Sequence, residues 1–180
     1  MNQVVYADGH LWGAVNTAVK GPTGPTRTGI AWFIVDPSGT PSLVNNGYVA
    51  VGTDSVMFPA IAATAAGAGV MSFTLAGPGR YPSAAYVKLD ATNGTGSVKV
   101  VKAGVGPADG FTGLVSEGGA GVERWGDYGA AAVAADGTIW FAAETINQTC
   151  SLAQFAAEPT CGGTRSFFAN WGTWIAGVTP

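Results

Sequence analysis

Arg124, Asp127 and Glu144 stand on either side of the Asp-Gly pair at 136–137, within the stretch 124–145. Asp-Gly is the strongest short signal for a two-residue hairpin turn. Folding the stretch about a turn flanked by Ala135 and Thr138 places Asp127 opposite Ile146 and Gly129 opposite Glu144. Side chains alternate along a strand, so the two carboxylates share a face as diagonal neighbours about 7 Å apart at Cα. Gly129 leaves room beside Glu144. Such a pair suits three chemistries: the acid and base of glycoside hydrolysis, part of a calcium site, or an ion-pair network with Arg124 that holds the inner strand. The ion-pair network is the expected arrangement.

The four arginines, Arg27, Arg80, Arg124 and Arg165, all fall in connections that an antiparallel meander places on one edge. The turns of the opposite edge, at 36–39, 90–96 and 136–137, hold no Arg or Lys. Guanidinium forks bind carboxylates and phosphates, so this edge is a candidate surface for an acidic glycan. Tyr81 adjoins Arg80, and Trp125 adjoins Arg124. Trp125 and Trp171 lie near loop ends, where an indole can stack on a sugar, although packing is their expected role. Trp12, Trp140 and Phe141 sit at strand centres and are expected in the core. His10 follows a turn and has no partner in the sequence for catalysis. There is no Ser-His-Asp set, phosphate loop or metal-spaced histidine cluster. No metal or other cofactor is expected beyond the calcium alternative.

The elements that must position these residues repeat. Ala7-Asp8-Gly9-His10-Leu11-Trp12 aligns with Ala135-Asp136-Gly137-Thr138-Ile139-Trp140, and a weaker copy centres on a turn at 67–69. The turn glycines are then Gly9, Gly69 and Gly137. Repeats of roughly 40 to 50 residues or more, made of several short strands, indicate propeller blades. Strands are expected at 4–6, 10–19, 30–35, 41–51, 56–64, 70–75, 84–89, 97–103 and 171–178, with an irregular connection at 104–123 and an irregular loop at 147–170. The expected fold is all-β: a partial β-propeller of about three blades of four-stranded antiparallel sheet, at 1–51, 52–104 and 124–180, the first and last incomplete. Propellers close with about four to eight blades. The remaining blades are expected from a longer chain or a second copy.

Composition supports this class. The chain of 180 residues is 47% apolar and only 11% charged, with 28 glycines, which suits many short strands and turns rather than disorder. A net charge of −3 and the lack of a basic run speak against nucleic acid as a partner. The stretch 55–79 carries no charge and is long enough to suggest a membrane span. Pro59, Pro78 and its central glycines argue for a hairpin instead, so no span is expected. Cys150 and Cys161 bracket part of one loop; a disulfide between them would rigidify it and imply an oxidising compartment. Met1-Asn2-Gln3 runs directly into Val4-Val5-Tyr6 without a signal peptide, as in a cytosolic, processed or partial chain.

Arg124-Trp125-Gly126-Asp127-Tyr128, the run 139–144 and Asn170-Trp171-Gly172-Thr173 together form a recognisable pattern. So do Tyr81-Pro82-Ser83-Ala84-Ala85-Tyr86 and Gly110-Phe111-Thr112-Gly113. Over most of its length the chain resembles the carboxy-terminal part of exported bacterial proteins with a sialidase-like β-propeller, a group with no established activity. The resemblance implies the fold and an extracellular or cell-envelope (periplasmic) setting. The Ser-x-Asp-x-Gly-x-Thr-Trp box of true sialidases is absent, and no nucleophilic tyrosine with an acidic partner can be matched. Catalytic roles are therefore not carried over. The expected function is a binding or scaffold module with glycan as the candidate ligand. The alternative is a sialidase-like glycoside hydrolase with its site on the arginine-bearing face.

Overall fold

The computed structural model describes residues 3–21, 24–109, 125–126, 128–165 and 169–180. Arg124, Asp127 and the 110–113 motif lie outside the described residues. The fold is all-β, with three antiparallel meanders among the described residues. The first sheet runs β1 (Val4–Ala7), β2 (His10–Val19), β3 (Arg27–Asp36) and β4 (Ser42–Val49). The second runs β5 (Ser55–Ala63), β6 (Ala68–Gly77) and β7 (Arg80–Asp90); its outer edge is split between β8 (Gly94–Thr95) and β9 (Lys99–Lys102), which both pair with β7. The third contains β10 (Ala130–Val133), β11 (Ile139–Ile146) and β12 (Trp171–Val178). These sheets form a partial propeller-like arrangement.

The three repeated hairpins do not share one turn. Asp8 and Gly9 both have positive φ, 50° and 74°, and join Ala7 directly to His10. This is the two-residue geometry expected of Asp-Gly. The other two hairpins use three-residue loops. In one, Gly67 N donates to Thr64 O and Thr64 N to Ala68 O; in the other, Gly137 N donates to Ala134 O and Ala134 N to Thr138 O. Gly67 and Gly137 close these loops with φ of 77° and 83°, a conformation that glycine adopts without strain. Two sequence expectations change as a result. The second turn glycine is Gly67, and Gly69 lies inside β6 opposite Ala63 and Leu89. The third ladder is also one residue out of the expected register, with Ala130 opposite Ala142. A one-residue slip exchanges the faces of a strand, so the shared face inferred for Asp127 and Glu144 does not follow from this register.

The second sheet is buried on both faces, which explains the uncharged stretch 55–79. Along β6, Met71, Phe73 and Leu75 point toward the first sheet and join Trp12, Ile30, Trp32 and Ile34 in one core. Val70 points the other way and joins Ala131, Ile139 and Phe141 of the third sheet. Period-two alternation thus places apolar or small residues on both sides of the strand. Polar side chains on the second side are anchored across the sheets: Thr74 Oγ1 donates to Glu144 O at 3.2 Å, and Thr145 Oγ1 to Pro82 O at 3.0 Å. The inner edges also converge. Gln3, just before β1, donates from Nε2 to Ala131 O on β10 and accepts from Ala131 N. The chain therefore ties the start of its first sheet to the inner strand of its third. Among the described residues no helix is long and apolar enough to cross a membrane.

The loop between β11 and β12 is more ordered than its sequence suggests. It contains the helix α1 (Leu152–Ala157), started by a capping box in which Ser151 and Gln154 cap each other's backbone. Cys150 and Cys161 form a disulfide across this helix, with their Cα atoms 6.0 Å apart.

Candidate functional site

The arginine expectations resolve into internal contacts. Arg27 opens β3 and donates from Nε to the backbone oxygen of Asp54 at 3.1 Å. Arg80 opens β7 and donates from Nε to Asp54 Oδ2 at 3.2 Å. The two guanidinium groups therefore meet at the connection between the first and second sheets. Arg165 is 5% exposed, ion-paired with Asp109 and stacked 4.6 Å over the ring of Phe155. Asn170 braces the same loop, donating to Pro107 O and Gln148 O. This cluster pins the 147–170 loop onto the segment after β9. Arg165 is thus a strut within the loop and is not presented to solvent.

The aromatic candidates are dispersed. Tyr81 is 51% exposed beside Arg80, and its carbonyl accepts from Ser83 Oγ. Trp125 is half-buried, and its Nε1 is enclosed without a hydrogen-bond partner among the described residues. Trp12 and Phe141 lie in the core as expected. Trp140 does not: it is half exposed on the outer face of the third sheet.

A groove of about 420 Å³ on that outer face brings Glu144 together with Tyr128, Trp171 and Thr173, over a floor that includes Gly129, Ala130 and Ala142. The register explains the grouping. Glu144 pairs with Thr173, and Ile146 pairs with Trp171, so the carboxylate, hydroxyl and indole lie along one end of β11 and β12. Tyr128 is 80% exposed and Trp171 50%. Small residues on β10 and β11 leave the space that the aromatic rings border. Tyr128 was not legible beside Glu144, because the one-residue error in the β10–β11 register concealed which positions share its face. Thr173 was missed because no local pattern sets the β11–β12 register across the long loop. Such a groove can offer an aromatic surface and a hydroxyl to a polar ligand.

The opposite rim carries acidic turns. Asp90 accepts from the backbone and then the side chain of Asn93, which hold its carboxyl below the usual value of 3.8. Asp136 is lowered likewise by the Thr138 backbone and side chain, and Asp36 by the Ser38 hydroxyl and backbone. These carboxylates organise turns. Among the described residues no group of three or more His, Cys, Asp or Glu side chains is arranged to hold a metal ion. Comparison of the chain with family models, curated proteins and solved structures gives no match in any of the three.

Proposed function

We propose that the chain is a non-catalytic binding or scaffold module of sialidase-like propeller type, working in an extracellular or cell-envelope setting. The observation that carries this reading is how the chain uses its charged groups. Arg27 and Arg80 are directed at Asp54, and Arg165 at Asp109. Large aromatic side chains, in contrast, stand exposed on the outer faces of the stack: Tyr6, Tyr48, Trp140 and Trp171. The module meets its surroundings through apolar surface rather than through a set of reactive groups. The disulfide supports the oxidising compartment.

A glycan remains the favoured small ligand, because the groove sets Trp171 and Tyr128 beside Glu144 and Thr173. Incubation with a panel of oligosaccharides, acidic ones included, tests both readings. The expected outcome is no released sugar, with any binding weakened at least ten-fold by Trp171→Ala. Turnover that disappears in Glu144→Gln would replace the module reading with the glycoside hydrolase alternative.

A further inference from the structure

The stack ends in two apolar faces that match the surfaces already mated inside it. Three residues after the turn glycines Gly9, Gly67 and Gly137 stand Trp12, Val70 and Trp140. Trp12 is fully buried against the second sheet, and Val70 against the third. Trp140 holds the same place in the third sheet, lies across Gly177 of β12 and is 50% exposed. The residues two and four places after each glycine point the other way. Ile139 and Phe141 are buried against the second sheet, and Met71 against the first. Their counterparts in β2, Leu11 and Gly13, share the outer face of the first sheet with Val4, Tyr6, Phe33 and Tyr48. Tyr6 and Tyr48 are 66% and 67% exposed.

We infer that these two faces mate with each other between two copies of this chain, a surface that deepens the module reading above and rests on it. The groove of Tyr128, Glu144 and Trp171 lies on the same face of the third sheet, so a glycan and a second copy compete for it. The third sheet of one copy covers the first sheet of the other, repeating the contact that each copy makes twice internally. Neither face opposes the other in charge: the named positions on the first sheet are uncharged, and Glu144 lies at one end of the third. The contact is head-to-tail, so it must close into a ring or grow without limit. The three sheets of the described residues, taken twice, make six, within the four to eight that closed propellers use, whereas three copies would make nine. The ring therefore closes at two copies about a two-fold axis.

Sedimentation equilibrium of the 180-residue chain tests this. The expected mass is about 36 kDa, twice the 18.1 kDa of one chain. Tyr48→Lys and Ile175→Lys alter residues 67% and 65% exposed in one copy, one on each open face, and unchanged far-ultraviolet circular dichroism checks that each still folds. Each variant alone is expected to be monomeric, because a buried unpaired ammonium opposes the contact. A mixture of the two is expected to recover pairs, since the intact third sheet of one meets the intact first sheet of the other. If one variant alone stays dimeric, the faces pair like with like and the inference fails. A monomeric parent chain, or growth beyond a pair, also overturns it. A monomer would leave the module reading standing. Sugar turnover lost in Glu144→Gln would remove the module reading whatever the mass.

Discussion

Trp12 and Trp140 occupy the same place in two copies of one hairpin, yet they serve different purposes in a single chain. Trp12 is fully buried, and its Nε1 donates to Ala7 O at 3.0 Å. Truncating it leaves a large cavity and an unmatched carbonyl, so Trp12→Ala is expected to cost about 3 to 5 kcal/mol. Trp140→Ala removes a half-exposed ring and is expected to cost about 1 kcal/mol or less, in line with most surface changes. Urea unfolding in the Tyr48→Lys background compares the two within one copy. Equal losses would show that Trp140 is covered inside the chain. The shared motif made both tryptophans legible as strand residues. Their difference in burial was not legible, because alternation reports which side of a strand a residue occupies but not whether another sheet lies there. The same limit applied to the arginines: Arg27 and Arg80 open strands instead of lying in connections, and the partners Asp54 and Asp109 come from other segments of the chain.

At the scale of the element, turn chemistry decided both the successes and the errors. Asp8-Gly9 made the expected two-residue turn. Asp136-Gly137 instead sits in a three-residue loop, and that one extra residue moved the β10–β11 ladder and the composition of the groove. A turn dipeptide identifies a hairpin more securely than it sets register, because loop length follows how the flanking strands twist and pack. The Ser151 to Gln154 capping box was a readable sign of α1, but its six residues are too few to give helical periodicity. The disulfide around α1 closes a short loop and is expected to contribute about 3 kcal/mol in the chain-entropy model. For a domain of this size that corresponds to a melting temperature lower by roughly 6 to 12 °C in the Cys150→Ser/Cys161→Ser variant, read by thermal circular dichroism. The strand signal at low temperature should be unchanged, since the three sheets do not depend on the loop. An unchanged melting temperature would show that Arg165, Asp109 and Asn170 hold the loop without the covalent link.

For the whole molecule, the order of strands was readable because each sheet is a meander in sequence order, with turn residues between apolar runs. The placement of the three sheets relative to one another came from packing that no local pattern contains. The middle sheet is the most enclosed part, and β6 is paired on both edges and covered on both faces. Amides around Met71 and Phe73 are therefore expected to exchange with solvent most slowly, near the rate set by global unfolding. Amides of β1 and β8 should exchange faster by local opening. Hydrogen exchange measured by mass spectrometry or magnetic resonance would contradict the stacking order if β6 exchanged faster than β2 and β11.

The split outer edge of the second sheet bears on solubility. An open edge strand invites another chain to add a strand of its own, the first step toward fibrous aggregates. Here β8 offers only two residues, the pairing breaks before β9, and β9 begins and ends with Lys99 and Lys102. A short, interrupted edge with lysines at its ends is a poor template for lateral growth. The second sheet therefore discourages, at this edge, the indefinite edge-to-edge pairing to which a sheet-rich, weakly charged protein is otherwise prone.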